Sequence, residues 1–368
     1  MASASLTIAA APSRVLSDGL GPLVACLCER GCTVVAPVAR DGVIGLAEIE
    51  TAEQIATGWT DVQEPGHYRA EQTGAGSFRH AAPALPWKRW LHPEQQVVVR
   101  VRVTSSQPIV ELPSTARTPL TFVGMQACDL AALGRLDVVF AHDEGYRSRR
   151  DQLVIISAAC TTPAANCFCA SAGTGPWPGP GADIVLRELE DGTLLATAVT
   201  DVGADLLDAT GPLPEADPAA FEAAEQRIAR GAARQTRRLD PTAIAAAAAS
   251  MEDPGWDTVA ERCLTCGNCT FVCPTCFCTS VVDSSSLDGT EFQRSERWDS
   301  CFSLDFAHVH GGSVRASAAS RYRQWYLHKL VTWHDQFGES GCVGCGRCIT
   351  WCPTGIDITE EIVHDRTH

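Results

Sequence analysis

The chain has 368 residues, enough for more than one buried core and about two domains. It is 45% apolar and 20% charged, an ordinary globular composition, but it holds 18 cysteines, clustered at C-x2-C and C-x-C spacings that suit metals in a reducing compartment better than disulfides. A formal net charge of −15 argues against a nucleic-acid partner and fits docking onto complementary protein patches.

No run reaches the roughly 18 apolar residues of a membrane helix. The start, Met1 to Pro12, lacks the charged leader of a signal peptide, so a cytoplasmic location is expected.

Residues 1–110 read as mixed α/β structure. Pro22 opens a short helix to Arg30, with Leu23, Val24 and Leu27 on one face. Thr33–Pro37 and Gly42–Ile49 read as strands about a turn at Asp41-Gly42. Cys26, Cys28 and Cys32 are read here as small buried apolar residues. In Leu85–Glu94, Trp87 and Trp90 flank Lys88 and Arg89 between prolines: an interface or cofactor edge, or a loop pinned by aromatics.

Thr121–Phe140 reads as strand, turn and helix, and Gln152–Cys160 as a second buried strand. Cys128 and Cys160 then lie just past the carboxyl ends of apolar strands. If the strands are parallel, both loops emerge on the rim where open α/β sheets bind ligands. Ala182–Thr200 predicts a hairpin turning at Asp191-Gly192.

From residue 213 the texture changes. Asp217-Pro218, Asp240-Pro241 and Asp253-Pro254 each join a capping side chain to a proline suited to a first helical position. The expected organisation is an α/β domain with a mixed sheet over 1–210, then a mostly α-helical, ferredoxin-like dicluster domain over 211–368.

The second half holds a duplication. Cys263-Leu264-Thr265-Cys266-Gly267-Asn268-Cys269 continues to Cys273-Pro274-Thr275, and Cys342-Val343-Gly344-Cys345-Gly346-Arg347-Cys348 continues to Cys352-Pro353-Thr354. Both read C-x2-C-G-x-C-x3-C-P-T. This is the ferredoxin run, in which three cysteines hold one [4Fe–4S] cluster and the fourth reaches the other. Carried over, that pattern assigns Cys263, Cys266, Cys269 and Cys352 to one cluster and Cys342, Cys345, Cys348 and Cys273 to the second. Four-cysteine zinc sites use two C-x2-C pairs and fit this spacing less well. The insert between the runs carries Arg297–Phe302 and an amphipathic helix over Arg321–Trp333, whose aromatics would cover the clusters.

Cys128, Cys160, Cys167 and Cys169 make a candidate third iron–sulfur site; equally, they are a mix of core thiols and a cysteine-rich loop. Cys276, Cys278 and Cys301 are read as packing beside the clusters. His308 and His310 are read as loop or helix packing in preference to metal ligands. No dinucleotide fingerprint, phosphate loop or nucleophile elbow is present, so no catalytic residue is assigned.

The chain resembles the β subunit of cytoplasmic group 3 NiFe hydrogenases, the sulfhydrogenases. It is also similar to the electron-transfer subunit of anaerobic sulfite reductase, from the same family. The resemblance covers nearly the whole length. It rests on Pro86–Glu94, Gln126–Leu133, Asn166–Cys169, Arg262–Cys278, Arg297–Phe302 and the second cysteine run. Where the family often has Arg-Pro, this chain has Gln126-Ala127. The resemblance implies a non-catalytic electron carrier with two [4Fe–4S] clusters. Its partners would be NiFe large and small subunits and an FAD- and NAD(P)-binding subunit, linking hydrogen chemistry to NAD(P) or sulfur. The alternatives are feeding a sirohaem subunit in sulfite reductase, or a sulfur-reducing site of its own at thiols such as Cys276 or Cys301.

Overall fold

A computed structural model describes residues 12–74, 76–104, 107–112 and 118–361. Most of the Met1–Pro12 stretch lies outside them. Among the described residues no helix is long and apolar enough to cross a membrane.

The first half is built on a seven-stranded mixed sheet. In chain order the first strands are β1 (Arg14–Leu16), β2 (Thr33–Arg40), β3 (Val43–Ile49), β4 (Trp59–Glu64), β5 (His67–Gln72), β6 (Gln95–Val103) and β7 (Pro108–Glu111). They are followed by β8 (Leu120–Gln126), β9 (Val154–Ala158), β10 (Ile184–Glu188) and β11 (Leu194–Ala198). The large sheet runs β1-β11-β10-β9-β8-β2-β3. Its four central strands β10, β9, β8 and β2 are mutually parallel, and β3 and β11 pair antiparallel at the flanks.

Side-chain alternation along these strands splits the core into two layers. Val34, Val123, Ile156 and Ile184 face the helices Gly21–Glu29 and Asp201–Ala209 through Leu23, Leu27, Leu206 and Leu207. Their chain neighbours Val35, Phe122, Ile155 and Val185 face the helix Ala127–Val139 and the Trp87–Leu91 segment. Neighbouring residues on opposite faces, both buried, are what a sheet covered on two sides demands. The predicted turn at Asp191-Gly192 joins β10 to β11, with Gly192 at φ 90°.

The second half packs helices Pro241–Ala249, Gly255–Arg262 and Ala318–Leu327 around Trp256, Val259, Phe302, Tyr322, Trp325, Tyr326 and Ile349, while helix Pro218–Ala233 lies against β10 of the first half, with Arg227 donating to the Glu188 carbonyl. Two of the three aspartates cap as expected: Asp217 accepts from the Ala219 N–H and Asp240 from the Thr242 N–H, both at 2.8 Å, whereas Pro254, not Asp253, holds the cap position of the third helix, with Asp253 accepting from the Gly255 N–H at 2.7 Å. The insert holds more than the expected helix. It also forms a hairpin of β12 (Thr279–Ser285) and β13 (Glu291–Trp298), and β13 adds to β6 from the first half, giving the sheet β12-β13-β6-β7. The helical share of the second half is therefore modest.

Candidate metal centres

The two cysteine runs fold alike. In each, the residue after the second cysteine (Gly267 or Gly346) sits at φ near 75° and opens a one-turn helix, Asn268–Phe271 or Arg347–Thr350. The residue before the second cysteine also has positive φ, 51° at Thr265 and 61° at Gly344. A β-branched residue in the left-handed region is strained, so the loop's fold imposes this shape whatever the residue. The second run needs glycine there for space as well. A Cβ on Gly344 would stand 2.6 Å from the Phe168 carbonyl carbon and the Cys169 amide nitrogen.

Each run borders a cavity, and each cavity takes its fourth cysteine from the other run. Cys263, Cys266, Cys269 and Cys352 line one cavity. Cys342, Cys345, Cys348 and Cys273 line a second. Cys348 and Trp325 border both, so the two spaces share a wall. The sulfurs ring a space, which suits a polynuclear group better than one tetrahedral ion. Among the described residues no three His, Cys, Asp or Glu side chains close on a single-ion position.

The surroundings fit an iron–sulfur group. Burial pushes the Cys263, Cys269, Cys345 and Cys348 thiols up, and Cys342 to about 11. Such crowded sulfurs are relieved by the positive charge of bound iron. The buried Tyr322 hydroxyl and Trp325 Nε1–H, both on residues lining the first cavity, have no hydrogen-bond partner among the described residues. Backbone N–H groups of Gly344 and Ile356 point at Cys342 Sγ (3.5 Å) and Cys352 Sγ (3.4 Å).

Lys329 is the residue that spacing could not reveal. It lies in a widened, π-type turn after Leu327, lines the second cavity and is buried. Its Nζ donates to Cys273 Sγ (3.1 Å) and Thr275 Oγ1 (2.9 Å). Burial alone would depress this lysine, but the Cys273, Cys276 and Cys342 sulfurs overcome it and hold the ammonium well above its ordinary range. Cys273 goes the opposite way: the Cys276 thiol donates to it and Lys329 adds to the effect, together lowering it against burial.

The other four candidate cysteines gather beside the second run. Parallel β8 and β9 bring Cys128 and Cys160 to one rim. Cys128 packs with Cys169, Val343 and the half-buried Cys345. Cys160 and Cys167 both feel the charge of Cys169, and burial pushes Cys160 up to about 12. Cys167 Sγ reaches the Cys345 carbonyl at 3.9 Å, and Gln235 Nε2 donates to Cys169 Sγ at 3.2 Å. Cys26, Cys28 and Cys32 instead pack against the first sheet core. His308 and His310 are exposed, on and beside a short hairpin.

Residues 262–356 match a family described as 4Fe-4S dicluster domain. The chain is also 34% identical over 242 residues to sulfhydrogenase 2 subunit beta of Pyrococcus furiosus, over 64% of this chain and 70% of that protein.

The chain belongs to the sulfhydrogenase β-subunit family.

Both the mixed-sheet first half and the dicluster second half agree with that membership. The Pro86–Glu94 string that carried part of the resemblance now has a physical role. Lys88 extends from it under the first run, with Nζ 4.3 Å from the Trp298 ring and donating to the Cys276 carbonyl.

Proposed function

We propose that the chain is an iron–sulfur electron-transfer subunit of a multi-subunit hydrogenase. The observation that carries this is the duplicated run, folded twice into one shape around two adjoining cavities that exchange their fourth cysteines. The ligands would be Cys263, Cys266, Cys269 and Cys352 for one [4Fe–4S] cluster and Cys342, Cys345, Cys348 and Cys273 for the other. Such clusters, when bound, exchange single electrons at low potential. The chain's own residues position the thiolates, hold an ammonium against Cys273, and cover the site with Phe302, Tyr322 and Trp325 to keep water out.

A third cluster on Cys128, Cys160, Cys167 and Cys169 is supported by their common burial around Cys169 beside Cys345. Residues 1–210 would be the partner-facing α/β unit and 211–368 the dicluster unit. The partners would be NiFe large and small subunits and an FAD- and NAD(P)-binding subunit, in the cytoplasm.

Iron and acid-labile sulfide determination on the anaerobically purified chain tests this. About twelve iron atoms per chain are expected with a third cluster and about eight without. Cys266→Ser or Cys345→Ser should lower iron and destabilise the second half. Unchanged iron in both variants would overturn the ligand assignment, and co-purification with a sirohaem subunit in place of a NiFe subunit would overturn the hydrogenase setting.

A further inference from the structure

Three cysteines beside the first run remain without a role. Cys276 and Cys278 follow its last cysteine by three and five positions, and Cys301 comes from the end of the insert hairpin. The hairpin brings them together through backbone pairing. Thr279 lies opposite Trp298, and the Asp299 N–H donates to the Cys278 carbonyl at 2.8 Å. The strands thus deliver Cys278 and Cys301 to one end, where each thiol shifts the titration of the other. Both are free thiols here.

The pair stands against both cavities. The residue before Cys301, Ser300, takes a hydrogen bond from the Thr270 hydroxyl (2.8 Å) and packs on Gly267 of the first run. The residue after it, Phe302, lines the first cavity. On the other side stands Lys329, which lines the second. Two ammonium groups are thus buried here, Lys88 at 3% exposure and Lys329 at 6%. Cysteine sulfurs surround both: Cys273, Cys276 and Cys278 around Lys88, and Cys273, Cys276 and Cys342 around Lys329.

We propose that Cys278 and Cys301 form a redox-active dithiol–disulfide pair, a two-electron store built against the one-electron carrier sites. Oxidation joins the two sulfurs, passing two electrons in succession to a one-electron acceptor and releasing two protons to water. Reduction takes two single electrons in succession from a low-potential one-electron donor, breaks the S–S bond and forms two S–H bonds with two protons. The first electron leaves a negative charge shared by the two sulfurs, and Lys88 and Lys329 are the groups placed to stabilise it. The Cys278 thiol, held at about 7 by the hydrogen bond from Cys301 against the effect of burial, is already biased toward the thiolate that exchange chemistry uses. The pair extends the carrier function proposed above, but its thiol chemistry is measured independently of iron.

The full chain, purified anaerobically with its iron, is split into a sample oxidised with thionin and a sample reduced with titanium(III). Each is alkylated in denaturant and read by mass spectrometry. A Cys278–Cys301 cross-linked peptide in the oxidised sample, replaced by two alkylated cysteines in the reduced one, is the expected result. Titration with titanium(III) should consume about two more electrons per chain than Cys301→Ser at equal iron content. Alkylation of both cysteines in both samples overturns the proposal, whatever the variants do. Loss of iron in Cys278→Ser and Cys301→Ser overturns it differently, by making these residues metal ligands. Loss of iron only in Cys266→Ser and Cys345→Ser leaves the pair standing and bears on the carrier clusters.

Discussion

Arg347, inside the second cysteine run, makes a bidentate ion pair with Asp129, the residue after Cys128, at 2.9 and 2.8 Å. Both side chains are at most 2% exposed, and Arg347 Nε also donates to the Pro83 carbonyl. Burial alone would weaken the guanidinium, but Asp129 and Cys345 together raise it above its ordinary range. This pair fastens the dicluster half to the helix that carries Cys128. Removing one partner strands a buried charge, so Asp129→Asn and Arg347→Met should each cost about 3–5 kcal/mol in anaerobic denaturant unfolding. The double variant should recover much of that loss. Strictly additive costs would show that the two side chains act separately.

The same position in the two runs should respond in opposite directions. Gly344→Ala places a methyl against the Phe168 and Cys169 backbone at positive φ, and should cost more than about 2 kcal/mol and lower iron content. Thr265→Gly relieves strain at φ 51°, and should keep iron and gain up to about 1 kcal/mol. Thermal unfolding with iron analysis reads both, and equal behaviour of the two variants would remove the steric account.

Lys329→Met deletes the ammonium 3.1 Å from Cys273 Sγ. A positive charge there favours the more negative, reduced form of any group Cys273 holds. Charge-assisted hydrogen bonds are worth about 1.5–3 kcal/mol. The potential of one of the two cluster signals should therefore fall by up to about 100 mV in a spectroscopic redox titration. A fall of both signals together, or none, would place the charge elsewhere.

His92 stacks against Phe140 and Trp298, with ring centroids 4.7 and 5.9 Å apart. Burial, joined by the neighbouring Lys88 ammonium, lowers its imidazole to about 4. An ordinary imidazole titrates near about 6.5. Between these values the unfolded chain binds a proton that the folded chain refuses, so stability is full above about pH 6.5 and is lost as pH falls toward about 4. The loss attributable to His92 is about 3 kcal/mol at most. Compared at pH 7 and pH 5, His92→Phe should lose less stability than the parent chain; parallel losses would assign the acid sensitivity to other groups.

Local patterns were legible in the residues. The apolar runs at 121–126 and 152–160, the Asp-Pro caps and the Asp191-Gly192 turn each encode their structure within a few neighbours, and strands, helices and hairpin formed there. The pairing of β6 with β13 was hidden. Its strands alternate charged residues with Val and Phe on half-exposed faces, and their partners lie far apart in sequence. The cysteine runs announced themselves by spacing. Lys88 and Lys329 did not, because lysine is normally a solvated residue and only the packing of distant segments buries it.

The crossing of the fourth cysteines bears on how the molecule comes into being. At about 5–20 residues per second, Cys352 leaves the ribosome several seconds or more after Cys269. Until the second run emerges, neither cavity has all four of its cysteines, and the first run waits without Cys352. On the proposed ligand assignment, metal loading would be a late, coupled event in the life of each chain. A nascent polypeptide halted in the insert would hold neither cavity with all four of its cysteines.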